Sequence, residues 1–169
     1  MKYKKVIAQE MEDISKNKKV KFLGYNVKYG HKMYNTLTKC NPDSLIETPV
    51  AENLIMGLAM GMSLEGFKPI VCFERSNFLL PALDAIINHL YGLPKMSGAF
   101  DFPVILRVAI PGNKPYDPGF QHLGDYTKII EQYTSIPVFK YKRGIYKKVL
   151  KFKYPVCIIE KKEDYERDY

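Results

Sequence analysis

A chain of 169 residues with 46% hydrophobic and 26% charged side chains has the composition of an ordinary globular protein able to bury one core. No run approaches the roughly 18 apolar residues of a membrane span, and the opening MKYKKVIAQEMEDISKN is too charged for a secretory leader, so the expected location is cytoplasmic. The net charge of +8 comes from lysine-rich stretches at residues 2–5, 16–21 and 141–153. No nucleic-acid motif accompanies them, which leaves a solvated surface or an acidic partner or substrate. Cys40, Cys72 and Cys157 share no metal or redox spacing and sit among apolar neighbours, so they are expected to be reduced and buried.

Helical and extended patterns alternate along the chain. Tyr3 to Lys16 places Val6, Ile7, Met11 and Ile14 at helical spacing. KVKFLG (Lys19 to Gly24) predicts a strand, and Tyr25 to Pro42 a long polar loop. Leu45 to Val50 is a short extended run broken by Pro49. Thr48 then serves as expected N-cap and Pro49 as first residue of a helix over Ala51 to Glu65, closed by a C′ glycine at Gly66. PIVCFE (Pro69 to Glu74) is a continuous β-branched and apolar run, hence a buried strand. A helix at Leu79 to Tyr91 and a buried strand PVILRVA (Pro103 to Ala109) follow. Ile110 to Gly124, with Pro111, Gly112, Pro115, Pro118 and Gly119, reads as a loop long enough to be functional. A helix near Gly124 to Thr134, a strand at Pro137 to Tyr141, a helix at Gly144 to Lys151 and a strand at Pro155 to Glu160 complete the series. The tail from about residue 161 reads as solvated.

This alternation predicts one α/β domain, with a mostly parallel sheet covered by helices on both faces in three α/β/α layers. Ligands of such sheets bind beyond the carboxyl ends of the strands. That directs attention to the junctions Glu47–Glu52 and Glu74–Phe78 and to the loop around His122. Glu52 in a first helical turn serves either the helix dipole or a ligand. Gly57, Ala59, Gly61 and Ser63 make the helix after it unusually small-sided, although each helical glycine costs about 1 kcal/mol against alanine. Close packing on the chain's own sheet and a subunit interface both explain that cost. No Ser-His-Asp pattern, phosphate-cradling glycine loop or metal-ligand cluster stands out.

Taken in order, Ile46 to Leu90 (IETPVAENLIMGLAMGMSLEGFKPIVCFERSNFLLPALDAIINHL), Lys95 to Gly112 (KMSGAFDFPVILRVAIPG) and Gly119 to His122 (GFQH) resemble a known family. It is the β subunit of the decarboxylating component of 2-oxo acid dehydrogenases and, more broadly, the transketolase-like pyrimidine-binding domain of thiamine-diphosphate enzymes. The resemblance implies a thiamine-diphosphate-binding fold, pyrimidine module, and matches Glu52 to the glutamate that hydrogen-bonds the cofactor's aminopyrimidine. That contact favours the tautomer able to take the proton from the thiazolium carbon. Phe78 matches the aromatic stacked on the pyrimidine, His122 matches a histidine facing substrate, and the small-sided helix matches one at a subunit interface.

The chain also departs from the family. Gly24-Tyr25-Asn26-Val27 lacks the usual acidic residue, Glu74 and Arg75 add charge beside the expected cofactor position, and Leu123-Gly124 replaces Ser-Gln after the histidine. The Gly-Asp-Gly and Asn-Asn-type run that holds diphosphate and magnesium is absent, as is the family's C-terminal domain. The resemblance therefore implies one subunit of a split enzyme, inactive alone. It decarboxylates a 2-oxo acid or transfers a ketol or acyl unit once a separate diphosphate-binding α-type subunit supplies Mg2+, in an α2β2-like assembly. Glu52 and His122 are the expected catalytic residues, with Glu52, Phe78 and Glu74 at the cofactor. The alternative expectation is a degenerate structural or regulatory partner.

Overall fold

Among the described residues, six strands form one sheet in the order β2-β1-β3-β4-β6-β5: β1 (Val20–Gly24), β2 (Leu45–Glu47), β3 (Lys68–Phe73), β4 (Ile105–Ile110), β5 (Val138–Lys140) and β6 (Val156–Lys161). Every pairing is parallel. The computed structural model describes residues 1–112 and 117–169, so Pro115 of the predicted 110–124 loop lies outside the described residues. The central strands β3 and β4 are buried almost throughout, as their unbroken apolar runs require of strands covered on both faces. On one face, Ile7 and Met11 of the Tyr3–Ser15 helix pack with Tyr146 and Val149 of the Ile145–Val149 helix. On the other, Met56 and Ala59 of the Glu52–Leu64 helix join Ile86, Leu90 and Ile130. The three-layer α/β/α architecture expected from the sequence is thereby established.

From β1 the chain moves outward to β2, then crosses back to β3 on the other side of β1. Such a reversal leaves a crevice beyond the carboxyl ends of the two strands it separates, here β1 and β3. At the tip of β1, Gly24 has φ +153°, and a Cβ there would meet the Cys72 carbonyl oxygen at 2.8 Å, so only glycine lets the strands stay this close.

The Glu52–Leu64 helix ends as its sequence predicts. Gly66 takes φ +79°, its N–H reaches the Ser63 carbonyl, and the Phe67 N–H reaches that of Met62, both at 3.1 Å. Its start differs from expectation. Thr48 does not cap it: the Thr48 N–H donates to the Gly24 carbonyl (3.1 Å), prolonging the β1–β2 pairing, and the helix begins at Glu52 with Ala51 as N-cap. The predicted Leu79–Tyr91 helix is instead a longer composite. It runs as a 3-10 segment over Ser76–Ala82, a π-helical segment over Ala85–Tyr91 and an α-helical turn over Gly92–Ser97. Pro94 cannot donate the bond an α-helix would send back to Leu90, which favours the wider winding before it.

Further along, the expected 124–134 helix shortens to Lys128–Tyr133, because Asp125 holds the Thr127 N–H (3.0 Å) in a turn. Glu10 caps the Ile145–Val149 helix from outside. Its carboxylate accepts the N–H groups of Gly144 (3.1 Å) and Tyr146 (3.0 Å) and the Tyr141 hydroxyl (2.9 Å). The tail read as solvated is exposed apart from half-buried Lys162 and Asp164 and from Tyr165, which is buried and donates its hydroxyl to Glu160 (2.7 Å). All three thiols are free and buried, as expected. Among the described residues no helix is long and apolar enough to cross a membrane.

Candidate functional site

Beyond the carboxyl ends of β1 and β3 lies a cleft of about 270 Å3, bordered by Asn26, His31, Glu52, Glu74, Arg75 and Phe78. A wider groove of about 620 Å3 sits at the opposite ends of the strands, lined by Lys95, Pro103 and Lys153. We place the site in the smaller cleft because it occupies the topological switch point and has a buried, incompletely bonded carboxylate in its wall.

That carboxylate is Glu74, whose position just past β3 buries it to 8% exposure. Among the described residues its Oε1 has no hydrogen-bond partner: His31 Nε2 stands 3.2 Å away, off the line of a hydrogen bond. Burial pushes the Glu74 carboxyl up from 4.5 to about 7, and the Asn26 side chain and Arg75 pull against that rise. The folded protein thus holds this proton more tightly than the unfolded chain. The stability linked to it is complete below about pH 4.5 and is lost as pH rises through about 7. Glu74→Gln, which cannot ionise, should match wild type near pH 5 and exceed it near pH 8 by on the order of 2 kcal/mol, the open cleft trimming the full effect. Urea unfolding at the two pH values checks this, and a pH-independent difference would refute it.

Glu52 stands in the first turn of its helix, half-buried at the cleft, while Phe78 lies in the 3-10 segment after β3. His122 lies in the Phe120–His122 turn. Its ring meets Phe78 edge to face at 6.1 Å, and its Nδ1 is 3.2 Å from Asn77 Oδ1. Desolvation, then Arg75, depresses its pKa, so it stays neutral around pH 7. The fold therefore gathers all four predicted residues, Glu52, Glu74, Phe78 and His122, on one end of the sheet. Glu52, Glu74 and Phe78 border the cleft, and His122 reaches it through Phe78. Cys72 also lines the cleft, but burial pushes its thiol up to about 12, which denies it a nucleophilic role. Among the described residues no group of three or more His, Cys, Asp or Glu side chains is placed to hold a metal.

His31 was not among the residues expected from sequence. It sits in the polar loop, where Lys32, Met33, Tyr34 and Asn35 all have positive φ, between 48° and 64°. Non-glycine residues in that region cost roughly 1–2 kcal/mol each, so neighbouring contacts must hold the turn. Glu47 supplies some of them: its two oxygens accept the N–H groups of Asn26, Val27, Lys28 and Tyr29 at 2.7–3.2 Å. The Tyr34 hydroxyl donates to the Glu74 carbonyl (2.8 Å), and the Met33 N–H to that of Asn26 (2.9 Å). Nothing in the local sequence signals a left-handed turn.

The small-sided helix shows an open face. Among the described residues a Cβ on Gly57 or Gly61 would meet nothing within 4 Å, and Leu54, Leu58 and Leu64 on the same helix are exposed. Packing against the chain's own sheet does not explain these glycines.

This architecture is that of the transketolase-like fold. A solved structure described as a split-gene transketolase, an inactive β4 tetramer, superposes with a TM-score of 0.72 at 18% identity, covering 95% of this chain and 51% of that one. In sequence the chain is similar to the β subunit of the mitochondrial pyruvate dehydrogenase E1 component of Dictyostelium discoideum. The two are 28% identical over 162 residues, 88% of this chain and 44% of the relative. The corresponding subunit of Acholeplasma laidlawii is 31% identical over 98 residues, 57% of this chain and 28% of the relative. The resemblance read from residues 46–122 is thus shown, and the chain spans less than half the length of these curated relatives. No protein-family model matches it.

Proposed function

We propose that the chain is the pyrimidine-binding subunit of a split thiamine-diphosphate-dependent enzyme, completed by a diphosphate-binding α-type subunit that also holds Mg2+. The observation carrying this reading is the convergence of Glu52, Glu74 and Phe78 on one cleft at the β1/β3 switch point. A volume of about 270 Å3 lies just under the roughly 300–1,000 Å3 of sites that enclose a whole drug-sized ligand. It suits one substituted heteroaromatic ring, with the remainder of the molecule held by another chain. A carboxylate at the edge, an aromatic ring for stacking and a buried acceptor oxygen match an aminopyrimidine, which offers ring nitrogens, a π-face and N–H donors.

When bound, the cofactor supplies an electron sink that permits cleavage of the bond beside a carbonyl. Within this chain, Glu52 exchanges a proton with a ring nitrogen, Phe78 fixes the plane of the ring, and neutral His122 gives or accepts a proton on the substrate side. The reaction is decarboxylation of a 2-oxo acid or transfer of a ketol or acyl unit, in an α2β2-like assembly in the cytoplasm. Calorimetry of thiamine diphosphate and Mg2+ with the co-expressed pair of chains tests the reading. Binding to the pair supports it, and no binding favours a structural or regulatory partner.

The open helix face supports a partner surface. Gly61→Arg should leave the isolated chain as stable as wild type or more so, since the site is empty and helical glycine costs about 1 kcal/mol. The same change should abolish co-purification with the α-type partner. Unimpaired assembly by sedimentation would remove this face from the interface.

A further inference from the structure

We propose that His31 and Glu74 form a second polar contact of the cleft, in which Glu74 Oε1 accepts an N–H of the bound aminopyrimidine while His31 holds the carboxylate in place. The inference rests on the cofactor reading above, and goes beyond it by adding His31 and a defined chemistry for Glu74.

The geometry is one of a fixed donor beside a free acceptor. The Tyr34 N–H donates to His31 Nδ1 at 3.0 Å, so a neutral His31 must carry its proton on Nε2. Nε2 is the atom 3.2 Å from Glu74 Oε1. The rings of His31 and Tyr34 stack 9° from parallel at 5.0 Å, and the strained turn over residues 32–35 leaves His31 little freedom. His31 lies toward the mouth, its side chain 42% exposed, and Glu74 behind it at 10%. A buried oxygen without a partner carries a desolvation cost that a ligand donor would recover.

The groups facing Glu74 decide its charge. Asn26 and His31 approach from the loop after β1, Arg75 from its own segment, Glu47 from β2 and Lys162 from the segment after β6. Asn26, Arg75 and Lys162 favour the carboxylate, and Glu47 and burial oppose it. The balance leaves Glu74 titrating at about 7, where a ligand N–H that needs the ionised form expels the proton. Binding and proton release are then coupled: the proton leaves the Glu74 carboxyl for the buffer and the freed lone pair takes the ligand's hydrogen.

The test is titration calorimetry of thiamine diphosphate into the complex with the diphosphate-binding chain, in buffers of different ionisation heat. Wild type should release about half a proton per site at pH 7 and lose affinity up to tenfold per pH unit below it. Glu74→Gln should bind with no such release and a flat pH profile. His31→Ala should move the affinity profile to higher pH, a change that a packing role alone would not produce. Wild-type binding whose proton release persists in Glu74→Gln overturns the inference and leaves the cofactor reading intact. Absence of thiamine diphosphate binding by the wild-type complex overturns both.

Discussion

Under the proposed function, Glu52→Gln should lower the turnover of the assembled pair of chains about 10²–10⁴-fold, the usual worth of a positioned acid–base group, while the chain folds normally. The two halves of that expectation have separate physical grounds. Glu52 opens a helix whose N-cap, Ala51, contributes no side-chain bond, so its structural part is an interaction with the helix dipole of about 0.3–1 kcal/mol. A glutamine forfeits that charge without disturbing the packing of Ile55, Met56 and Ala59 on the buried side. It can still hydrogen-bond a ring nitrogen but cannot exchange a proton with it. Binding of thiamine diphosphate should therefore survive while turnover collapses. Full activity in Glu52→Gln would remove Glu52 from the chemistry, and equal losses of binding and turnover would make it a binding group only.

How far such residues could be read in advance depended on the range of the forces placing them. Strands β3 and β4 and the Gly66 helix end follow from neighbouring residues, through a continuous apolar run or a single positive φ, and are visible in sequence. Thr48 misled because its N–H bonds the Gly24 carbonyl across the sheet, which keeps the chain extended past it, so the helix starts only at Glu52, out of reach of its hydroxyl as a cap. Local capping chemistry lost to strand pairing. Glu74 was visible as a charge out of place, but its orphaned oxygen was not. His31 was wholly illegible: its position depends on a left-handed turn stabilised through Glu47, a residue that to local inspection merely ends β2. The same limit hid Arg107, a charge within the apolar run PVILRVA whose counter-ion lies on another strand.

That counter-ion is Glu160, and Glu160→Gln should destabilise the chain by about 3–5 kcal/mol, a large part of a typical domain's 5–15 kcal/mol. Both side chains are fully buried, joined at 2.9 Å through Nε and again at 2.9 Å through Nη2. Burial alone would disfavour the guanidinium charge, but Glu160 more than offsets it and holds its pKa well above normal. Glutamine removes the anion while Arg107, unable to deprotonate, stays charged in the core with its Nη1 already unpartnered among the described residues. Arg107→Met should cost less, because Glu160 would keep the Tyr146 and Tyr165 hydroxyls at 2.6 and 2.7 Å. Urea unfolding measures both, and the Glu160→Gln midpoint should fall by on the order of 2 M at unchanged slope. The consequence extends to the cleft. Arg107 pairs in register with Cys72 in the cleft wall and donates to Thr36 Oγ1 (2.8 Å), just past the strained turn that aims His31. Loss of the ion pair should thus loosen the His31 loop before the sheet melts, detectable as faster amide exchange at residues 31–36 than across β3 and β4. Uniform protection changes across both regions would show instead that Arg107–Glu160 stabilises the fold without positioning the site.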